Sequence, residues 1–338
     1  MRLVFPFLSF LFLLVGLAGP ASANDSVAEI AVGGLVLTQT DAISLDSEDL
    51  SISKNEVKVA YTFTNTTDND IETLVAFPLP DQVYDENGEG YFRDMKKDLA
   101  FETLIDGKPV SYDIVEQAFV EGSDITQRIT ALGLPLNGTE DAEAFNAKVK
   151  ALGEADRNGL LNDGLVANAG GDDVFYAPTW NLRTTVTRKQ VFPAHKTVSV
   201  QHRYAPLVGG SVGGNLNGEL RNEDWSKEHA RRFCIEDSWF KGLDAMLAKR
   251  ATVAFPSPYN EWWISYVLSS GANWKGPIKN FRLVVDKGKP DNLVSFCAEG
   301  VKKISPTQFE VRKTNFEPKD DLNILIVEWY APGEGEAP

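Results

Sequence analysis

The stretch EVKVAYTFTNTTDNDIETLVAFPLP, Glu56 to Pro80, decides the fold. Its first half alternates, with Val57, Val59, Tyr61 and Phe63 on one side and Lys58, Ala60, Thr62 and Thr64 on the other. Apolar and polar residues at period two make a β-strand with one buried face. Asn65 to Asp70 is a run of short polar residues that turn the chain by bonding to their own backbone. Ile71 to Phe77 is then a second strand, stopped by Pro78 and Pro80.

Working outward, Leu99–Ile105 and Val110–Val115 read as a further pair joined at Asp106-Gly107. Short strands and turns at this spacing predict a β-sandwich-like domain over 24–120. Over 121–170 the period changes. Phe145, Val149 and Leu152 recur at helical spacing, Thr139 with Glu140 and Asp141 suits a helix start, and Gly153 suits an end. This is read as a helical insertion. Strands resume in a second, β-rich part over 171–330. There Leu182–Gln190 and Thr197–Tyr204 read as a hairpin around Phe192 to His195, and Trp239–Arg250 as a short helix whose terminal bases suit its dipole. Trp262 to Cys297, WWISYVLSSGANWKGPIKNFRLVVDKGKPDNLVSFC, reads as three strands and two turns, and Phe309–Arg312 and Leu322–Trp329 add two more. The tail 331–338, APGEGEAP, is expected to be disordered. The fold class is therefore mainly β, two sandwich-like parts with a helical insertion and a short helix in the second.

The chain opens MRLVFPFLSFLFLLVGLAGPASA. Arg2 precedes an apolar run that breaks at Gly19-Pro20 and ends Ala21-Ser22-Ala23, the layout of a signal peptide over 1–23. Asn24 follows where a lipoprotein would have cysteine, and no later run reaches the ~20 apolar residues of a membrane span. A periplasmic or secreted protein without a transmembrane segment after cleavage is expected. In that compartment the two cysteines, Cys234 and Cys297, are expected to form a disulfide.

The net charge of −15 is uneven: Asn24 to Gly170 carries 28 acids against 10 bases, and Gly171 to Pro338 20 against 22. Nucleic-acid binding is excluded on this balance, because its affinity comes from bases neutralising phosphates.

No catalytic constellation stands out. Gly209-Gly210-Ser211-Val212-Gly213 matches G-x-S-x-G, but a nucleophile elbow needs a helix directly after it, and Asn215-Leu216-Asn217-Gly218 is not one. Of three histidines, His202 shares a strand face with Val198, Val200 and Tyr204 and reads as a buried, hydrogen-bonded residue; His195 lies in a turn and His229 in a charged segment. No paired-histidine metal spacing occurs. Asp85-x-Asn87-x-Glu89 begins like a calcium loop, but Lys96 stands where the bidentate glutamate belongs. A looser cation site from Asp81, Asp85, Asn87 and Glu89 is left open. Trp262 and Trp263, adjacent on a strand, must point to opposite faces; with Trp274 they are the candidate ligand-contact aromatics.

The blocks Tyr61–Asp81, Val191–Pro206 and Asn273–Cys297, with the region 309–326, resemble the bacterial "domain of unknown function 4424" family of exported proteins. Tyr61–Asp81 is also locally similar to the edge of vault protein inter-alpha-trypsin (VIT) domains, a β-sandwich. The first resemblance implies an exported β-rich protein and brings no activity, cofactor or catalytic residue with it. The expected function is non-catalytic binding or scaffolding in the cell envelope, toward a protein or glycan partner and without a cofactor. The alternatives are a hydrolase with a dispersed active site, or a glycan- or calcium-binding module.

Overall fold

A computed structural model describes residues 25–31, 34–82, 95–139, 141–170, 173–212, 214, 216–250 and 258–330. Residues 1–24 and 331–338 and the candidate cation-site residues Asp85, Asn87 and Glu89 lie outside the described residues. Strand accounts for 44% of the described residues and helix for 22%, so the mainly β class holds.

Strands β1 (Ser26–Ala31), β2 (Gly34–Thr38), β5 (Ile71–Pro78), β8 (Asp113–Val120), β9 (Ser123–Asp124) and β12 (Asn181–Phe192) make one sheet, in the order β2-β1-β5-β12-β8-β9. A second sheet takes β3 (Ile43–Ser53), β4 (Val57–Asn65), β6 (Glu102–Ile105), β7 (Lys108–Pro109), β13 (Thr197–Tyr204), β16 (Ile278–Asp286), β18 (Lys302–Lys303) and β19 (Gln308–Phe316). Its order is β18-β19-β16-β3-β4-β13-β6-β7, with β16 parallel to β3. A third sheet holds β14 (Val208–Val212), β15 (Tyr259–Tyr266), β17 (Leu293–Phe296) and β20 (Leu322–Trp329), in the order β14-β15-β20-β17. The eight-stranded sheet ends on two-residue strands carrying Lys302, Lys303, Lys108 and Pro109. Short edges bearing lysine and proline discourage further strand pairing.

The strand read from Val57 to Phe63 buries the four residues expected of it. Two other readings are corrected. First, Leu182–Gln190 and Thr197–Tyr204 are not a hairpin: β12 lies between β5 and β8 in one sheet, β13 between β4 and β6 in the other. The turn at 193–196 carries the chain across the sandwich, as does the Asn65–Asp70 turn. These two corners hold each other. Buried Asn65 donates through Nδ2 to the carbonyl of Phe192 at 2.8 Å, and the Ala194 amide donates to Asp70 at 2.8 Å. Second, 24–120 and 171–330 do not separate into two modules, because β12, β13 and β16 sit among the N-terminal strands. Alternation tells which face of a strand is buried; it does not tell which strand lies beside it.

The inner faces meet in one core. Tyr61 and Phe63, Phe77 and Phe192, and Tyr266 and Ile324 come from the three sheets in turn. The helical insertion has its own small core. A one-turn helix α1 (Met95–Asp98) precedes it; α2 (Thr126–Ala131), α3 (Ala142–Ala151) and α4 (Glu154–Asn162) bury Ile129, Phe145, Val149 and Leu160 around Trp180. The cap of α3 is Asp141, whose side chain accepts from the Ala144 amide, which satisfies one of the orphan donors of a helix start. The strands β10 (Val166–Asn168) and β11 (Tyr176–Pro178) return the chain.

The third sheet is covered on both faces. Ile264 and Tyr266 face the main core, whereas Tyr259 and Trp263 face α5 (Asp224–Arg232) and α6 (Asp237–Lys249), which bring Phe233 and Leu243. Cys234, in the bend between those helices, is joined to Cys297 just past β17, with the Cα atoms 5.1 Å apart. Cys234 has φ +50°, a left-handed conformation that usually calls for glycine at a helix end.

Candidate functional site

The eight-stranded sheet turns one face to the core and the other to solvent, and its register sets the outward side chains in rows. Asp49, Ala60, Gln201 and Leu104 stand side by side on β3, β4, β13 and β6. In the next row stand Ser51, Lys58, Arg203 and Glu102. Ala60 and Ser51 are the short members, and over them opens a trough of about 530 Å³ lined by these eight residues and, from the intervening positions, Val59 and His202. That volume lies within the range of small-molecule sites.

The electrostatics of the trough follow from the same register. Lys58 and Arg203 are direct cross-strand partners, and like charges placed opposite one another destabilise a sheet. Glu56, in the turn before β4, forms ion pairs with both. Glu102 stands 3.9 Å from Arg203, and Asp49 accepts from Arg282 at 3.0 and 3.2 Å. Lys58 and Arg203 keep 59% and 58% of their side chains exposed, so each is open to a solute.

Beneath the trough is a second charged group, sealed from solvent. Arg188 faces inward on β12 and donates from Nη1 and Nη2 to the two oxygens of Asp25, at 3.1 and 2.7 Å. His202 Nε2 lies 3.2 Å from Asp25 and its Nδ1 3.0 Å from the Thr103 hydroxyl. An ionised carboxylate only accepts, so a neutral imidazole donates to Asp25 and accepts from Thr103. Burial alone would raise the Asp25 pKa; the Arg188 guanidinium and His202 outweigh it and hold the carboxyl well below the usual range. Burial pushes the His202 pKa down, against the pull of Asp25. Tyr61 and Tyr266 touch hydroxyl to hydroxyl at 3.0 Å, and burial, with Glu48 nearby, raises both phenols. Acid, imidazole and hydroxyl here follow the order of a catalytic triad, yet the His202 and Asp25 side chains have no exposed surface. A substrate cannot reach them, and the cluster ties β1, β6, β12 and β13 together.

The residues singled out by sequence fall elsewhere. Trp274 is buried in the main core, 4.5 Å from the Phe63 ring, with its indole donating to the Asp25 carbonyl at 2.5 Å. Trp262 packs on the main core with its indole donating to Glu328 at 2.9 Å and the Lys54 ammonium 4.5 Å from its ring. Trp263 faces the other way, as adjacency requires, and packs under α5 beside His229. All three aromatics therefore sit in packing positions. Ser211 lies within β14 rather than on an elbow, opposite Glu261. Glu261 pairs with His229 at 3.0 Å, but the Ser211 hydroxyl has no hydrogen-bond partner, so no nucleophile–base contact forms. Gly210 is needed because a Cβ there would lie 2.3 Å from the Glu261 carbonyl oxygen. His195 pairs with Asp68 in an exposed turn. Asp81 pairs with Arg183 at 2.9 Å. Among the described residues, no group of three or more His, Cys, Asp or Glu could hold a metal ion.

Sequence reasoning missed the trough. Its one visible sign was the outward set Lys58, Ala60, Thr62 and Thr64, in which a short side chain follows a charged one; its neighbours come from distant strands, Arg203 beside Lys58 among them, which β-pairing alone brings together.

The sequence profile of the family described as "Domain of unknown function (DUF4424)" matches residues 23–325. No curated protein matches the chain. Among solved structures, the chain is similar to a "putative nutrient binding protein" of Legionella pneumophila, with TM-score 0.43 and 14% identity over 90% of this chain and 70% of that one. It is also similar to an M1 zinc metallopeptidase of Deinococcus radiodurans, with TM-score 0.28 and 7% identity over 86% of this chain and 43% of that one.

Proposed function

We propose a non-catalytic binding function for this chain, which belongs to the DUF4424 family: an exported protein of the cell envelope whose ligand seats in the trough of the eight-stranded sheet. The observation that carries the reading is the trough itself, a concave site of about 530 Å³ with a short apolar floor at Ala60 and Leu104 and charged walls. Such a combination of apolar floor and few polar groups is what orients a small solute. The export part rests on the leader at 1–23 and on the paired cysteines, which suit an oxidising compartment.

Two measurements test the two parts. Protein recovered natively from producing cells is denatured, and the small molecules it releases are identified by mass spectrometry. The Ala60→Trp variant, which fills the trough, is expected to release none of the species that the wild type carries. Release of the same species by both, or of none by either, overturns the trough. For export, the mass of the envelope fraction is expected to show cleavage after Ala23 and no free thiol; an intact leader with two free thiols overturns it.

A further inference from the structure

Resting on the binding reading above, we infer that Lys58 and Arg203 form a carboxylate-recognition subsite at one end of the trough, and that Glu56 occupies it in the ligand-free protein. The ligand class is then a small molecule with a free carboxylate and a compact apolar body.

Two cations placed directly opposite each other across β4 and β13 are an unfavourable choice for a sheet surface. What makes the arrangement tolerable is a third residue, Glu56, which reaches both Lys58 and Arg203. Its position is the informative point: Glu56 belongs to the turn before β4, outside the strands that present the cations. Its side chain is 29% exposed, so solvent reaches the carboxylate that holds the two cations.

The same sheet face supplies an internal control. Arg282 and Arg312 are also direct cross-strand partners, and Glu310 bridges them at 2.8 and 2.9 Å. Glu310, however, lies within β19 and is only 14% exposed, and neither Arg282 nor Arg312 is among the residues that line the trough, as Lys58 and Arg203 are. That bridge is a fixed surface network. The Lys58–Glu56–Arg203 bridge borders a cavity and is held by two side chains that are more than half exposed. Since the group bound there now is a carboxylate, the geometry fits a carboxylate. The neighbouring floor, Ala60 and the Leu104 side chain, offers an apolar seat for what the carboxylate is attached to. Charge-assisted bonds to a guanidinium and an ammonium are the strong class of such contacts.

The test uses the purified mature chain and a matched pair of probes, N-acetyl-alanyl-leucine and its C-terminal amide, titrated by calorimetry, with inorganic phosphate as a third probe. The acid is expected to bind at least ten-fold tighter than the amide and tighter than phosphate. Glu56→Gln removes the internal competitor and is expected to tighten the acid several-fold, whereas Arg203→Gln weakens it ten-fold or more. Glu310→Gln leaves it unchanged. Equal binding of acid and amide, stronger binding of phosphate, or no tightening in Glu56→Gln overturns the carboxylate subsite. If Ala60→Trp still abolishes binding in that case, the trough stands and only the ligand class falls. Binding that survives Ala60→Trp, or no binding of any probe at millimolar concentration, overturns this inference regardless of the variants.

Discussion

His202 and Arg203 are neighbours in sequence and belong to two charged clusters on opposite faces of one strand. Inward, His202 joins Asp25, Arg188 and Thr103 with no side-chain surface left on the acid or the imidazole. Outward, Arg203 joins Glu56, Lys58 and Glu102 with most of its side chain in water. The chemistry is similar: a carboxylate held by nitrogen donors. The surroundings differ, and surroundings set what each cluster is for. A buried carboxylate that loses its partner has no solvent to replace it, whereas an exposed one does. The inner cluster is therefore a determinant of the fold and the outer one is free to exchange partners.

The largest expected effect follows on the inner side. Arg188→Ala leaves Asp25 buried without its bidentate donor, and such losses cost about 3–5 kcal/mol. Chemical denaturation is expected to show it as a lowered midpoint at unchanged slope. The double variant Asp25→Asn with Arg188→Met removes both charges and is expected to recover part of the loss. Full stability in Arg188→Ala would mean that the inner cluster is as replaceable as the outer one, and the contrast between the faces would vanish.

A covalent link far from both clusters gives a scale for that number. The Cys234–Cys297 bond closes a separation of 63 residues, for which the chain-entropy account gives roughly 4 kcal/mol, with typical measured values of about 2–4. Replacing both cysteines by serine is expected to lower stability by that amount while leaving the shape of the pH dependence unchanged. The bond fastens the α5–α6 cap to β17 and touches neither charged cluster.

The pH dependence comes next and has a definite sign. His202 has a depressed pKa in the fold. Below about pH 6.5 the unfolded chain therefore takes up a proton that the folded chain does not. Stability falls as the pH falls, at up to about 1.4 kcal/mol per pH unit until the folded imidazole titrates. The Asp25 carboxyl is also depressed, so its contribution is complete above the unfolded value near 3.9 and is lost only as the pH drops below it. Denaturation midpoints measured from pH 7.5 to 4.5 are expected to slope downward in the wild type and to flatten in His202→Gln. An equal slope in that variant would assign the acid sensitivity to other groups.

How much of this contrast could be read from the residues alone depends on the face. Val57, Val59, Tyr61 and Phe63 alternate with polar neighbours, so the inner face of β4 was legible, and His202 among Val198, Val200 and Tyr204 was legible as a buried, hydrogen-bonded residue. Its partners were not. Asp25 stands two residues past the apolar run that ends at Ala23 and reads as an exposed start, and Arg188 looks like a solvated strand residue until β12 is placed between β5 and β8. The corners at Asn65–Asp70 and 193–196 read as ordinary turns, because the same polar residues serve a hairpin and a crossing between sheets. The tryptophans misled for a related reason. Period two gives Trp262 and Trp263 opposite directions, but the third sheet is covered on both sides, so each packs against a core and is only partly exposed.

The smallest expected effect completes the contrast, because it is a near-absence on a named scale. Glu56 is the anion of the outer cluster as Asp25 is of the inner one. Its removal leaves Lys58 and Arg203 opposed but hydrated, and exposed ion pairs of this kind contribute about 0–1 kcal/mol. Glu56→Gln is therefore expected to shift the denaturation midpoint by no more than that, with the fall that does occur reduced further by added salt, which screens the two cations. The inner variants should show no such salt response, since their charges are out of reach of mobile ions. A loss of several kcal/mol in Glu56→Gln would place the outer bridge among the fold's supports and would leave no reason for the sheet to keep a displaceable carboxylate beside the trough.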